Sequence, residues 1–154
     1  MVNLSLATWD HDRAMALHDG RVGVEGAALD GTILPTGTLF PIAVQEARFD
    51  VTELSLSSYM LQLSQGTSAY TAIPVFLSRM FRHNGFYGRT DSDVRSPADL
   101  AGRRVGVPEY QMTAGLWMRG ILADEYGVDP ERIHLRTGAL DAGVRRERLT
   151  LDLP

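Results

Sequence analysis

The 154-residue sequence contains neither cysteine nor lysine. Without cysteine these residues form no disulfide and supply no thiol nucleophile, which fits a reducing compartment. All fifteen basic residues are arginine, so a Schiff-base lysine of the kind used with pyridoxal phosphate is absent. Neither a cysteine thiol nor a lysine amine is therefore available as a nucleophile within this stretch.

Long apolar runs and blocks of basic charge are also missing. No stretch approaches the length of a membrane span, and "MVNLSLATWD" at the N-terminus lacks the basic region and apolar run of a secretory signal. Fifteen basic residues face nineteen acidic ones, for a net charge of -4. If Met1 is the native start, we expect a cytoplasmic protein with neither nucleic acid nor a membrane as partner.

Strand and helix patterns alternate along the chain. "VNLSLATW" alternates apolar and polar side chains as a strand does, and "DHDRAMALHDG" has helical spacing with Asp10 as its N-cap. "TLFPIAVQEARF" also has helical spacing, provided that Pro41 lies near the first turn. Later, "RRVGVPE" is a strand and "YQMTAGLWMRGILADEYG" a helix that ends at Gly127. This order predicts an α/β fold with a largely parallel sheet.

Three further segments complete the predicted elements. "SAYTAIPVFLSRMF" is rich in β-branched and aromatic residues and is predicted to be an edge or irregular strand because of Pro74. "NGFYGRTDSD" is predicted to pass through a turn and a strand, and "SPADLAG" to form a short helix capped by Ser96. "ALDAGVRRERLTLDLP" stops soon after a strand begins, so we expect the chain to be a fragment.

Polar side chains follow three of the predicted strands. In parallel sheets ligands collect at the carboxyl ends of strands, beside the positive ends of the following helices. Capping is the commonest use of any one such aspartate or serine, but Glu53 with three serines exceeds what a cap needs. The residues at the three strand ends are Trp9, Asp10 and His11 in "TWDHDR"; Glu53, Ser55, Ser57 and Ser58; and Tyr110, Gln111 and Thr113.

The segment "SRMFRH" carries Arg79, Arg82 and His83 away from a predicted strand. An arginine binds a carboxylate through two parallel hydrogen bonds, so these residues are candidates for anion binding. Alternatively, the three side chains lie at a strand end that is exposed to solvent. Because side chains alternate along a strand, only some of the three can face a site.

The tripeptide "DHD" at residues 10–12 has the composition of a metal site. Adjacent residues on a helix point in different directions, and no second histidine stands at ligand spacing. We therefore predict no metal site, and interpret His11 and Asp12 as residues of a helix start.

Four segments resemble the 4,5-dihydroxyphthalate decarboxylase family in order and spacing. They are "FDVTELSLSSYM", "AIPVFLSRMFRH", "SPADLAGRRVGVPEYQMTAGLWMRG" and "EYGVDPERIHLRTG". That family is itself similar to type II periplasmic binding proteins. The resemblance implies two α/β lobes with a ligand in the cleft between them. Residues 1–92 are then expected to form the first lobe, and residues 93–154 the incomplete start of the second.

The resemblance implies a cofactor-independent decarboxylase that converts a small aromatic carboxylate of the 4,5-dihydroxyphthalate type to a protocatechuate-type product. Such a reaction needs a proton for the ring carbon and a base for the para hydroxyl, which makes His83, Glu53 and His11 the catalytic candidates. The candidate substrate-binding residues are Asp10, Ser55, Ser57, Arg79, Arg82, Tyr110, Gln111 and Thr113.

Two alternative functions remain open at this point. The first is a solute-binding protein of an ABC-type transporter that binds a small anionic or aromatic ligand. The second is a truncated, inactive remnant. The missing secretory signal favours the enzyme, and we expect the full-length enzyme to be a homo-oligomer.

Overall fold

The computed structural model describes residues 1–139, 147–149 and 151. These residues fall into two compact units. One contains Met1–Arg79 and the described residues from Arg148 onward, and the other contains the described residues of Met80–Glu147. The predicted lobes, 1–92 and 93–154, concern the complete fold and stay a prediction. The strand predicted at the start of the final segment lies outside the described residues.

The first unit is built on a parallel three-stranded sheet. Its strands are β1 (Val2–Thr8), β2 (Ala27–Ile33) and β3 (Val51–Thr52), in the order β2-β1-β3. The pairing of β1 with β2 runs in register from Val2 with Ala27 to Thr8 with Ile33, whereas β3 adds only two residues opposite Leu6 and Ala7. The predicted α/β class with parallel strands is confirmed.

Three helices accompany this sheet: α1 (Asp12–His18), α2 (Thr36–Glu46) and α3 (Leu56–Ser64). Leu39 and Ala43 are buried one turn apart on α2, as expected for the inward face of a helix. Pro41 lies inside α2 rather than near its first turn, because the helix begins at Thr36, before the predicted segment. Inside a helix the proline ring crowds the carbonyl four residues earlier, which at this position belongs to Gly37.

The second unit contains a parallel pair of strands joined through a helix. Its elements are β4 (Arg104–Val107), α4 (Thr113–Tyr126) and β5 (His134–Thr137), with 3-10 turns at Arg82–Gly85, Pro97–Leu100 and Pro130–Arg132. Leu122, Val128 and Ile133 form its buried core. Gly127 ends α4 in the left-handed conformation as predicted. The predicted cap at Ser96 is a full capping box with Asp99.

Two strand predictions are wrong. The described backbone from Ser68 to Phe81 forms no strand, and Ile73, Val75 and Phe76 in it are largely exposed. High β propensity reflects fit to a half-buried sheet surface, and Pro74 removes one of the N–H groups that a ladder requires. The segment around Arg89 is likewise turn rather than strand, since Ser92 N–H donates to Arg89 O at 3.1 Å.

Candidate active site

A histidine and a glutamate meet at the carboxyl ends of β1 and β3. The two strands are neighbours in the sheet, so the residues that follow them lie together. The Nε2 atom of His11 lies 3.1 Å from both carboxylate oxygens of Glu53. Each side chain is only 9% exposed. Such a sheltered imidazole–carboxylate pair suits proton transfer, because the carboxylate fixes the orientation of the ring.

Trp9, in the turn that follows β1, contacts both members of this pair. The backbone N–H of Trp9 donates to Oε2 of Glu53 at 3.1 Å, and the indole ring meets the imidazole of His11 edge to face, with centroids 5.5 Å apart. Glu53 N–H donates in turn to Ala7 O at 2.9 Å, which continues the β1–β3 pairing beyond the strand. Glu53 is therefore held through both its backbone and its carboxylate.

Asp10 does not cap α1. The helix begins at Asp12 and its N-cap residue is His11, so the predicted cap was placed one residue too early. Asp10 is exposed. Its predicted contact with substrate stays a prediction.

The serines after β3 are buried rather than solvated. Ser55 occupies the N-cap position of α3, yet its side chain makes no capping hydrogen bond. Its Oγ atom lies 3.2 Å from Oγ of Ser57, and Ser58 is fully buried. Capping alone therefore does not account for this group, and these hydroxyls follow the same strand as Glu53.

Asp50 stands immediately before β3. Hydrogen bonds from the Ser5 hydroxyl and then from the Ser5 backbone N–H hold the pKa of Asp50 below its usual value. Glu53 of the candidate site thus follows β3, and the ionised carboxylate of Asp50, hydrogen-bonded to Ser5 on β1, precedes it.

In the second unit, the predicted residues lie in one connection. It joins β4 to α4, with Gln111 buried, Tyr110 partly buried, and Thr113 as the first residue of the helix. Tyr110 N–H donates to Oε1 of Glu147 at 2.6 Å. Nη1 of Arg119 donates to Tyr110 O at 2.9 Å, and the guanidinium carbon lies 4.1 Å from the centre of the Tyr110 ring.

The group predicted from "SRMFRH" does not leave a strand. Arg79 is exposed, with its guanidinium carbon 5.4 Å from the ring centroid of Phe76. Arg82 and His83 begin the 3-10 turn Arg82–Gly85 in the second unit. The side chain of His83 is 46% exposed, and its Nε2 atom lies 2.9 Å from Oε2 of Glu125.

Two absences hold for the described residues alone. Among them, no group of three or more histidine, aspartate or glutamate side chains has the arrangement of a metal site. None of the described helices combines the length with the apolar composition that a membrane span requires.

No protein-family profile matches the chain, but two curated relatives align with almost all of it. It is 43% identical over 153 residues to a 4,5-dihydroxyphthalate decarboxylase of Comamonas testosteroni, covering 99% of this chain and 46% of the relative. It is 40% identical over 153 residues to a 4,5-dihydroxyphthalate decarboxylase of Pseudomonas putida, covering 99% and 59%. The chain is thus similar over almost its whole length to these two decarboxylases. It spans about half the length of each of these relatives, 46% and 59%.

Two residues lie beside predicted site residues but were not among the candidate catalytic or binding residues. Trp9 stood in the strand-end segment "TWDHDR", and its aromatic ring next to a histidine was the available signal. Arg119 stood in "LWMRGIL", where one charged residue interrupts an apolar helix. Its contact with Tyr110 depends on the path of the β4–α4 connection, which the sequence pattern does not specify.

Proposed function

We propose that the full-length protein carrying this chain decarboxylates a dihydroxylated aromatic dicarboxylic acid of the 4,5-dihydroxyphthalate type. The observation that carries the proposal is the buried His11–Glu53 pair at neighbouring strand ends. It occurs in a chain that is 43% identical to a decarboxylase with that named substrate.

The chemistry asks for little beyond proton transfer. When the ring–carboxylate bond breaks, its electron pair stays on the ring carbon, which takes up a proton as carbon dioxide leaves. A hydroxyl para to the departing carboxylate supplies electron density as its own proton is drawn away. Histidine carries out such transfers near neutral pH, and Glu53 holds the imidazole of His11 in one orientation. We assign proton delivery to His11 and the orienting role to Glu53.

His83 is the weaker of the two histidine candidates. Its side chain is half-exposed and pairs with the exposed Glu125, whereas His11 is sheltered. Shelter from bulk water strengthens electrostatic interactions at the reacting groups and limits loss of the proton to solvent. The hydroxyls of Ser55 and Ser57, next to the start of α3, are proposed to bind a substrate carboxylate.

The finer predictions belong to the same proposal. They are the two-lobe arrangement of type II periplasmic binding proteins, a cytoplasmic location, a role in aromatic compound catabolism, and a homo-oligomer at full length. The parallel sheets of the two units are compatible with such lobes. A crystal structure of the full-length protein with phthalate bound tests the lobes and the assembly together.

The function is tested by incubating the full-length protein with 4,5-dihydroxyphthalate and measuring carbon dioxide release, with and without a chelator. We expect release in both cases. The His11→Gln variant should lose at least about a hundredfold in turnover, the typical contribution of a general acid. His134→Gln is the matched control, because His134 is exposed on β5.

Three other outcomes carry distinct meanings. Tight binding without release favours the solute-binding alternative, which the names of the relatives disfavour. Release that stops on addition of chelator requires a metal. Full activity of His11→Gln would show that His11 is not the proton donor. It would not contradict the proposed decarboxylation itself.

A further inference from the structure

Trp9 presents an exposed indole beside a buried pair of catalytic candidates. The residue before it, Thr8, is 3% exposed and His11 is 9% exposed, whereas Trp9 is 46% exposed. The chain thus buries two polar side chains, those of Thr8 and His11, and leaves the indole of Trp9 between them about half exposed, next to the exposed Asp10. Buried polar groups beside an exposed large aromatic ring are the less common arrangement.

The backbone of Trp9 is fixed on both sides. Its N–H donates to Glu53 Oε2 at 3.1 Å. Its carbonyl accepts from the His11 N–H at 2.8 Å and from the Thr8 hydroxyl at 2.8 Å. These bonds fix the backbone of Trp9, and with it the point from which the indole extends.

The indole is also oriented relative to the candidate proton donor. Its ring plane stands at 76° to the imidazole of His11, and the ring centroids are 5.5 Å apart. Edge-to-face contact at this distance is favourable and fixes the direction of both rings. An aromatic ring that reached His11 for proton transfer would therefore arrive next to the indole.

Large aromatic side chains recognise planar rings with little loss of conformational freedom. Stacked or edge-to-face pairs add stabilisation beyond that of the buried area, and they favour an aromatic ring over a saturated one of the same size. A carboxylate-binding group alone does not make this distinction, because both rings can carry the same two carboxylates.

We propose that Trp9 contacts the aromatic ring of the substrate and makes the site prefer aromatic to saturated dicarboxylates. The inference rests on the proposed function for the identity of the reacting acid. The preference itself concerns binding, and it is measured without turnover.

The experiment uses the full-length protein and two probes that lack the hydroxyls: phthalate and cyclohexane-1,2-dicarboxylate. Affinities are measured by calorimetry for the wild type, Trp9→Phe and Trp9→Leu. Trp117→Phe is the matched control, since Trp117 is 57% exposed on α4. Tryptophan fluorescence of the wild type minus that of Trp9→Phe isolates the signal of Trp9.

We expect phthalate to bind more tightly than the saturated acid and to change the Trp9 fluorescence. Trp9→Leu should weaken phthalate binding roughly three- to tenfold and the saturated acid by less than about twofold. Trp9→Phe should retain most of the preference, and Trp117→Phe all of it. Circular dichroism melting of each variant checks that it has folded.

Three results would overturn the inference. One is an unchanged preference in Trp9→Leu, and another is equal weakening for both acids, which would indicate a structural role for the indole. The third is a wild type that does not distinguish the probes. Carbon dioxide release from 4,5-dihydroxyphthalate by the same protein reports separately on the proposed function, so the two failures are distinguishable.

Discussion

Ser5 and Asp50 hold each other by three hydrogen bonds. Oδ2 of Asp50 accepts from the Ser5 N–H at 2.8 Å and from the Ser5 hydroxyl at 2.6 Å, and the Asp50 N–H donates to the same hydroxyl at 2.9 Å. The strand that follows, β3, is only Val51–Thr52. The position of Glu53 therefore depends on this side-chain clamp as well as on the short ladder with β1.

Replacing Asp50 by asparagine should lower stability at neutral pH and also reduce turnover. Because the pKa of Asp50 is lowered from 3.8 in the folded state, its ionised form stabilises the fold fully above about that value. The contribution is lost as the pH falls through the lower folded value. The difference in urea midpoint between wild type and Asp50→Asn should therefore be present at pH 7 and shrink in strongly acidic buffer.

Asp30→Asn is the control for this measurement. Asp30 is exposed on β2, in register with Ser5 on the other side of β1. It should change neither the midpoint nor its pH dependence in the way that Asp50→Asn does. A constant difference between wild type and Asp50→Asn from pH 7 downward would contradict the role of the ionised carboxylate.

The two candidate histidines should differ sharply when each is removed. We expect His83→Ala to reduce the turnover of the full-length protein less than about tenfold, and His11→Gln to reduce it at least about a hundredfold, because the proposal assigns proton delivery to the sheltered histidine, His11, rather than to the half-exposed His83. Single-turnover carbon dioxide release, measured at saturating substrate, separates the chemical step from binding. The opposite ranking would move the proton donor to His83.

Arg119→Lys should weaken substrate binding more than it slows turnover. Lysine keeps the charge but loses the planar contact with the Tyr110 ring and the fixed geometry of the bond to Tyr110 O. We expect KM to rise roughly three- to tenfold with kcat nearly unchanged, since Tyr110 is a predicted binding residue. Arg132→Lys, at an exposed position in a 3-10 turn, is the control. A loss in kcat with KM unchanged would be incompatible with this role.

Ala47→Gly should stabilise the protein. Ala47 follows α2 with φ 47° and ψ 41°, a left-handed conformation that costs a residue with a Cβ atom more than it costs glycine. After allowing for the greater freedom of glycine in the unfolded chain, we expect a gain of about 0.5–1 kcal/mol in the free energy of unfolding.

The matched substitution is Ala123→Gly within α4, which should lose about 1 kcal/mol. The urea midpoints of the two variants should move in opposite directions. Destabilisation by both would show that the Ala47 side chain contributes contacts that outweigh its backbone strain.

The features that were predictable from the sequence are mostly local. The capping box at Ser96 and Asp99 and the glycine that ends α4 follow from short patterns with known backbone requirements. The order of strands and helices predicted parallel strands, and with them polar side chains at the carboxyl ends of strands.

The features that were not predictable depend on distant partners. The segment with Ile73 and Val75 has strand propensity, but no strand pairs with it in the described part of the chain. His11 and Glu53 are 42 residues apart, and nothing local in either segment specifies which of the nearby side chains face each other. The contacts of Trp9 and Arg119 depend on the paths of the β1–α1 and β4–α4 connections. Sequence periodicity does not specify these paths.

Because β3 is short, the candidate site can open while the rest of the sheet stays paired. β1 and β2 share seven paired residues, whereas β3 contributes two. Segments with few backbone pairs open locally at lower free energy than the sheet that carries them. A brief detachment of residues 50–53 would take Glu53 away from His11 while β1 and β2 stayed paired, so the protein could remain folded and yet be inactive for the duration of that opening.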